Sequence, residues 1–125
     1  RESTDLILRI LRECRSLSLR GVFHAFSGSI ETFRELQKLG DWYVGIGGVL
    51  TYKKASIAET VKDIPLERIL LETDSPYLTP VPFRGKRNES SYVPYIAAKM
   101  AELTGRDISE IAEITTDNAQ KLFNI

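Results

Sequence analysis

Apolar residues recur along the chain with two alternating periods, one helical and one extended. Ile7, Ile10, Leu11 and Cys14 follow helical spacing, with Ser3 to Asp5 as candidate caps, and predict a helix over residues 5–15. Gly21 to Phe26 is a short apolar run that suits a strand buried on both faces. Ser27-Gly28-Ser29 ends that run, and Phe33, Leu36 and Leu39 then trace a second helix closed by Gly40. Trp42 to Ile46 predict a second strand, broken at Gly47-Gly48 and followed by a weaker helix near residues 55–63. The third strand spans Arg68 to Thr73 and runs into Asp74-Ser75-Pro76. A loop rich in proline and arginine, Thr79 to Ser91, shows no periodicity. Two helices complete the chain. One covers residues 93–104 and stops at Gly105, and the other opens on Asp107 with Glu110 at the spacing of a capping box.

Strands alternating with helices imply right-handed crossovers and a parallel sheet, an α/β fold. Three parallel strands are few for a domain, because an open sheet leaves two hydrogen-bonding edges bare. A (β/α)₈ barrel takes roughly 250 residues, and 125 residues without repeat or linker have the length of half of one. The chain also opens on a helix with no strand before it. It starts with Arg1, and its sole methionine is Met100, so a processed or cut chain is expected.

Composition narrows function only slightly. The chain is 42% hydrophobic and 27% charged, which is ordinary for a soluble domain. Seventeen basic residues balance seventeen acidic ones, so any binding of a polyanion must come from a local patch. The lone Cys14 excludes an intrachain disulfide and a multi-cysteine zinc site. Neither a long apolar run nor a signal peptide is present, and the expectation is a cytoplasmic protein without a membrane partner.

Four features can carry chemistry. His24, the single histidine, is expected on one strand face with Val22 and Phe26, either as a hydrogen-bonded core residue or as a ligand. Glu72 and Asp74 share a face of the third strand by the same alternation, and two carboxylates there need a cation or protons beside them. Asp74 would sit at the C-terminal end of its strand, where a parallel barrel builds its active site, unless it only braces the loop. Arg84, Lys86 and Arg87 lie beside Phe83 on the loop that leaves this strand. Such groups attract phosphates and can stack on bases, although a charged loop can also be merely solvated. Ser27-Gly28-Ser29, before a helix, offers an anion site or a cap.

These residues resemble the TatD family of metal-dependent deoxyribonucleases and hydrolases. The matching segments are His24 to Ser29, Gly45 to Thr51, Leu71 to Leu78 continuing into Pro80, Pro82 and Arg84 to Glu89, and Asn118-Ala119. The resemblance runs in order over essentially the whole chain and implies the C-terminal half of a TIM (β/α)₈ barrel spanning residues 1–125. It further implies that His24 and Asp74 ligate divalent metal ions, Mg²⁺ first with Mn²⁺ or Zn²⁺ as alternatives. Asp74 would also act catalytically, and Arg84, Lys86 and Arg87 would hold a DNA substrate for phosphodiester hydrolysis. The family's paired histidines on its first strand, its fourth-strand glutamate and its fifth-strand histidine have no counterpart here. Arg1-Glu2 resembles the residues just past that last ligand. The isolated chain is therefore expected to be incomplete, with the N-terminal half or a second copy as partner. Two other readings stay open: an inactive half-barrel serving only as an assembly piece, and a hydrolase of a small cyclic amide or ester.

Overall fold

Helix α1, Glu2–Glu13, precedes strand β1, Arg20–Phe23, and a single 3₁₀ turn at Arg15–Leu17 joins them. This architecture comes from a computed structural model that describes residues 2–125, with side chains from Thr4 onward. Arg1 and the side chain of the proposed cap Ser3 lie outside those limits. The sequence pattern places the helix later, over residues 5–15, and assigns its apolar face to Ile7, Ile10, Leu11 and Cys14. Of these Leu11 is buried, together with Leu8, while Ile7 and Ile10 are exposed on another side. The helix is apolar on more than one side, and periodicity alone could not say which side packs on α2.

The remaining elements alternate as expected. Helix α2, Ile30–Leu39, is followed by β2, Asp41–Ile46, a short helix α3, Ile57–Val61, and β3, Ile69–Leu71. Helices α4, Val93–Thr104, and α5, Ile108–Phe123, close the fold. The sheet is parallel in the order β1-β2-β3, with Phe23 opposite Val44 and Val44 opposite Ile69. Only β2 has neighbours on both sides among the described residues. Its last four residues, Tyr43 to Ile46, are all buried, as expected of a parallel strand covered on both faces.

Local sequence explains most of the boundaries. Ser29 caps α2 by accepting from the Thr32 N–H at 3.2 Å, and Phe33, Leu36 and Leu39 on its inner face are buried. Of the two serines before this helix, Ser29 is the cap. Asp107 likewise caps α5 through the Ser109 N–H. Its expected capping-box partner, Glu110, instead pairs with Arg106 at 2.9 Å, because that guanidinium lies one turn away on the exposed face. Asn118 is buried, and its Nδ2 donates to the carbonyls of Leu66 at 2.9 Å and Ile69 at 2.8 Å, pinning α5 to the start of β3.

β1 and β3 are shorter than the apolar runs that mark them, whereas β2 covers all of its own. β1 stops at Phe23, and His24 and Ala25 form a turn in which Ala25 adopts a φ of 50°. That left-handed residue breaks the alternation that would have put His24 and Phe26 on one face: His24 is exposed and Phe26 is buried. Val22 and Leu71, expected to be buried, are half-buried, since β1 and β3 each have a sheet neighbour on one side only among the described residues. No helix among those residues is long and apolar enough to cross a membrane.

Candidate metal centre

Beyond the last ladder residues, the backbones leaving β1 and β3 stay tied to β2. The Phe26 N–H donates to the Gly45 carbonyl at 2.9 Å, and the Glu72 N–H donates to the Ile46 carbonyl at 3.0 Å. Both tethers hold the segments carrying His24 and Asp74 over the C-terminal end of the sheet, the end where parallel α/β folds place their ligands.

Glu72 reaches across β2 between them. It can do so because residue 45 is glycine: a Cβ there would lie 2.0 Å from Glu72 Oε2. That oxygen meets His24 Nδ1 at 2.8 Å, and the other, Oε1, accepts the Ala25 N–H. The opposite ring nitrogen, His24 Nε2, faces Asp74 Oδ1 at 3.7 Å. Exposure separates the roles: the His24 and Asp74 side chains are 57% and 47% exposed, whereas that of Glu72 is 18% exposed. The hydrogen bond to Glu72, followed by its charge, raises the His24 pKa above the ordinary value. Asp74 adds to the shift, and burial opposes it.

Asp74 is braced from its own loop. Its carbonyl accepts the Tyr77 N–H at 2.8 Å, and its neighbours Thr73 and Ser75 join their hydroxyls at 2.7 Å. Buried Asn88 clamps this turn, donating from Nδ2 to Thr73 Oγ1 at 2.9 Å and to the Tyr77 carbonyl at 2.7 Å. Gly48 allows the loop to close on β2, since a Cβ there would lie 2.1 Å from the Leu78 carbonyl oxygen. The chain pattern marks residues 79–91 as an aperiodic loop and shows neither the Asn88 clamp nor the Gly45 gap. The one available signal was a glycine inside an apolar strand, which often means a close approach of other atoms.

Two of the three loop cations lie against aromatic rings. The Arg84 guanidinium lies 4.0 Å from the centre of the Tyr52 ring, and the Lys86 ammonium 5.9 Å from that of Phe83. Phe83 in turn stacks on Tyr92 at 4.3 Å. Arg84, Lys86 and Arg87 are all exposed, and among the described residues none is paired with a carboxylate.

A neutral imidazole nitrogen and a carboxylate are donors of the kind that divalent ions take. Two donors each about 2.1 Å from one ion stand at most about 4.2 Å apart, so the 3.7 Å separation of His24 and Asp74 suits a shared ion. Among the described residues, no group of three ligating side chains gathers around one point. His24 and Asp74 therefore fit such an ion as part of a ligand set.

Several known proteins are similar to this chain over most or all of its length. The uncharacterized metal-dependent hydrolase YabD of Bacillus subtilis is 48% identical over 126 residues, which is 100% of this chain and 49% of YabD. The uncharacterized metal-dependent hydrolase YcfH of Escherichia coli is 43% identical, over 94% of this chain and 44% of its own length. Among solved structures, the TatD homolog YJJV of Escherichia coli superposes with a TM-score of 0.88 at 29% identity, covering 100% of this chain and 48% of that one. The chain thus spans about half the length of the relatives it matches, and its three strands form part of a barrel. With the family model for TatD related DNases matching residues 1–124, the chain belongs to the TatD family.

Proposed function

We propose that a complete barrel containing this chain is a metal-dependent hydrolase that cleaves phosphodiester bonds in DNA. The observation that carries this reading is the pairing of His24 Nε2 with the Asp74 carboxylate at the C-terminal mouth of the sheet. A bound divalent ion, Mg²⁺ or else Mn²⁺ or Zn²⁺, would lower the pKa of a water and offset the charge on the scissile phosphate. His24 would hold it through Nε2 and Asp74 through a carboxylate oxygen. The other oxygen of Asp74 orients the attacking water and takes its proton. Arg84, Lys86 and Arg87 supply exposed positive charge for the nucleic-acid backbone. The names of YabD and YcfH, metal-dependent hydrolases, support the reaction class.

A second reading has its own observation. A cavity of ≈ 300 Å³ adjoins Asp74, lined by Phe26, Ile46, Leu50 and Ile57 together with Leu78. A small cyclic ester or amide would suit such an apolar recess. Both readings are tested on a full barrel by supplying Mg²⁺, Mn²⁺ or Zn²⁺ after chelation, with DNA and small cyclic esters as substrates. Metal-restored DNA cleavage that falls at least ~100-fold in Asp74→Asn is the expected result. Ester turnover without DNA cleavage would reverse the order of the two readings.

A further inference from the structure

We propose that Glu72 is a positioning residue, holding the His24 imidazole in the tautomer that carries its hydrogen on Nδ1 and leaves Nε2 bare toward Asp74. The inference rests on the metal reading only for its purpose; the tautomer itself is a property of this chain. An ionised carboxylate accepts hydrogen bonds and donates none. The 2.8 Å contact between Glu72 Oε2 and His24 Nδ1 therefore places the ring hydrogen on Nδ1 when the imidazole is neutral. Nε2 then keeps its lone pair. A carboxylate behind a ligating histidine fixes ring orientation and tautomer and strengthens the ligand.

Two further contacts make Glu72 a built support for the ring. Its other oxygen accepts the Ala25 N–H, so one carboxylate grips both the histidine ring and the backbone of the next residue. Ala25 is held at a φ of 50°, a conformation that L residues other than asparagine and aspartate rarely adopt without local support. The carboxylate occupies the volume that a side chain at position 45 would need, so Gly45 is part of the same device. Exposure fits as well: the side chain is more enclosed than either proposed ligand, and its carboxylate is turned to the far side of the ring from Asp74.

The chain has a single histidine, so ¹⁵N-histidine labelling gives one pair of ring signals, read in whatever assembly the protein adopts. At a pH high enough for a neutral ring, the expected spectrum has a protonated Nδ1 and an unprotonated Nε2. Glu72→Leu should mix the two tautomers. Gly45→Ala should do the same by pushing an intact carboxylate away. Glu72→Gln should not restore the wild-type pattern: with its one amide oxygen held by the Ala25 N–H, its NH2 faces Nδ1 and should move the ring hydrogen toward Nε2. Titration with Zn²⁺ alone should shift Nε2, with affinity about 10–100-fold lower in Glu72→Leu than in wild type. A wild-type ring protonated mainly on Nε2 would overturn the proposal without any variant, and so would a Glu72→Leu spectrum identical to wild type. A correct tautomer whose Nε2 ignores Zn²⁺ would support the positioning role and defeat the metal reading instead.

Discussion

At the scale of single residues, His24 sits between two carboxylates, and this governs how it titrates. Glu72, by hydrogen bond and then by charge, and Asp74 more weakly, favour the protonated ring. Its midpoint, followed by NMR of the sole imidazole, should lie above the ordinary 6.5. Because the folded pKa is raised, the contribution to stability is fully present below the unfolded pKa and is lost as pH rises through the folded one. Wild-type protein should therefore lose stability relative to His24→Gln as pH climbs from just below 6.5 through that midpoint. A midpoint at or below 6.5 would contradict the geometry. Asn118 acts by a different force, neutral hydrogen bonding in a buried place. Asn118→Ala leaves the carbonyls of Leu66 and Ile69 without their donor and should cost about 1–3 kcal/mol, read as a shift in urea midpoint. In the sequence, Asn118 shows only as part of a family resemblance. Its partners lie 52 and 49 residues away, beyond the reach of local pattern.

At the scale of elements, the loop from Thr79 to Ser91 lacks sequence periodicity yet is tied at several points. Thr79 Oγ1 donates to the Lys86 carbonyl at 2.6 Å, the Val81 N–H donates to Thr51 Oγ1 at 2.8 Å, and the Asn88 N–H donates to the Pro76 carbonyl at 3.0 Å. A basic loop held this way presents its cations in a limited set of positions. If they hold DNA, changing Arg84 and Lys86 to Ala in a full barrel should weaken binding and flatten its salt dependence. Each lost phosphate contact should reduce the magnitude of the log–log slope by about 1, and an unchanged slope would leave the loop a solvated surface. Element identity was legible because burial drives it: the apolar runs at Gly21, Trp42 and Arg68 became the three parallel strands, and Val93 to Thr104 became a helix with the expected limits. Strand ends were not legible. Ala25 leaves the extended region under a long-range hold by Glu72, 47 residues away, and no local propensity encodes that. The site shows the same division. His24 stands out as the single histidine inside an apolar run and Asp74 as a carboxylate at the end of one, whereas Glu72 and Gly45 acquire their roles only when the strands lie side by side.

At the scale of the whole molecule, surfaces left open matter more than the core. β1 and β3 each show an unpaired edge among the described residues, and such edges are templates for pairing with another chain. Helix α1 adds an apolar face, with Leu6, Ile7 and Ile10 exposed at 49%, 41% and 48%. A second apolar face on a helix already packed through Leu8 and Leu11 is suited to a partner surface. The matched relatives are about twice as long as this chain, and closing a parallel sheet into a barrel removes both edges at once. The chain by itself is therefore expected to associate, either with an N-terminal half supplied separately or, failing that, with a second copy. Metal should bind weakly to the chain alone, because two protein ligands hold a divalent ion poorly in water, and more tightly once a partner adds donors. Light scattering on residues 1–125, with and without an N-terminal half taken from a relative such as YabD, combined with calorimetric titration of Zn²⁺, separates the cases. The expected result is concentration-dependent association of the chain alone and a discrete one-to-one complex with the added half. That complex should take up metal at least ~10-fold more tightly. A monodisperse monomer that binds metal as tightly as the complex and cleaves DNA unaided would show that three strands suffice, and the open edges would then need no partner.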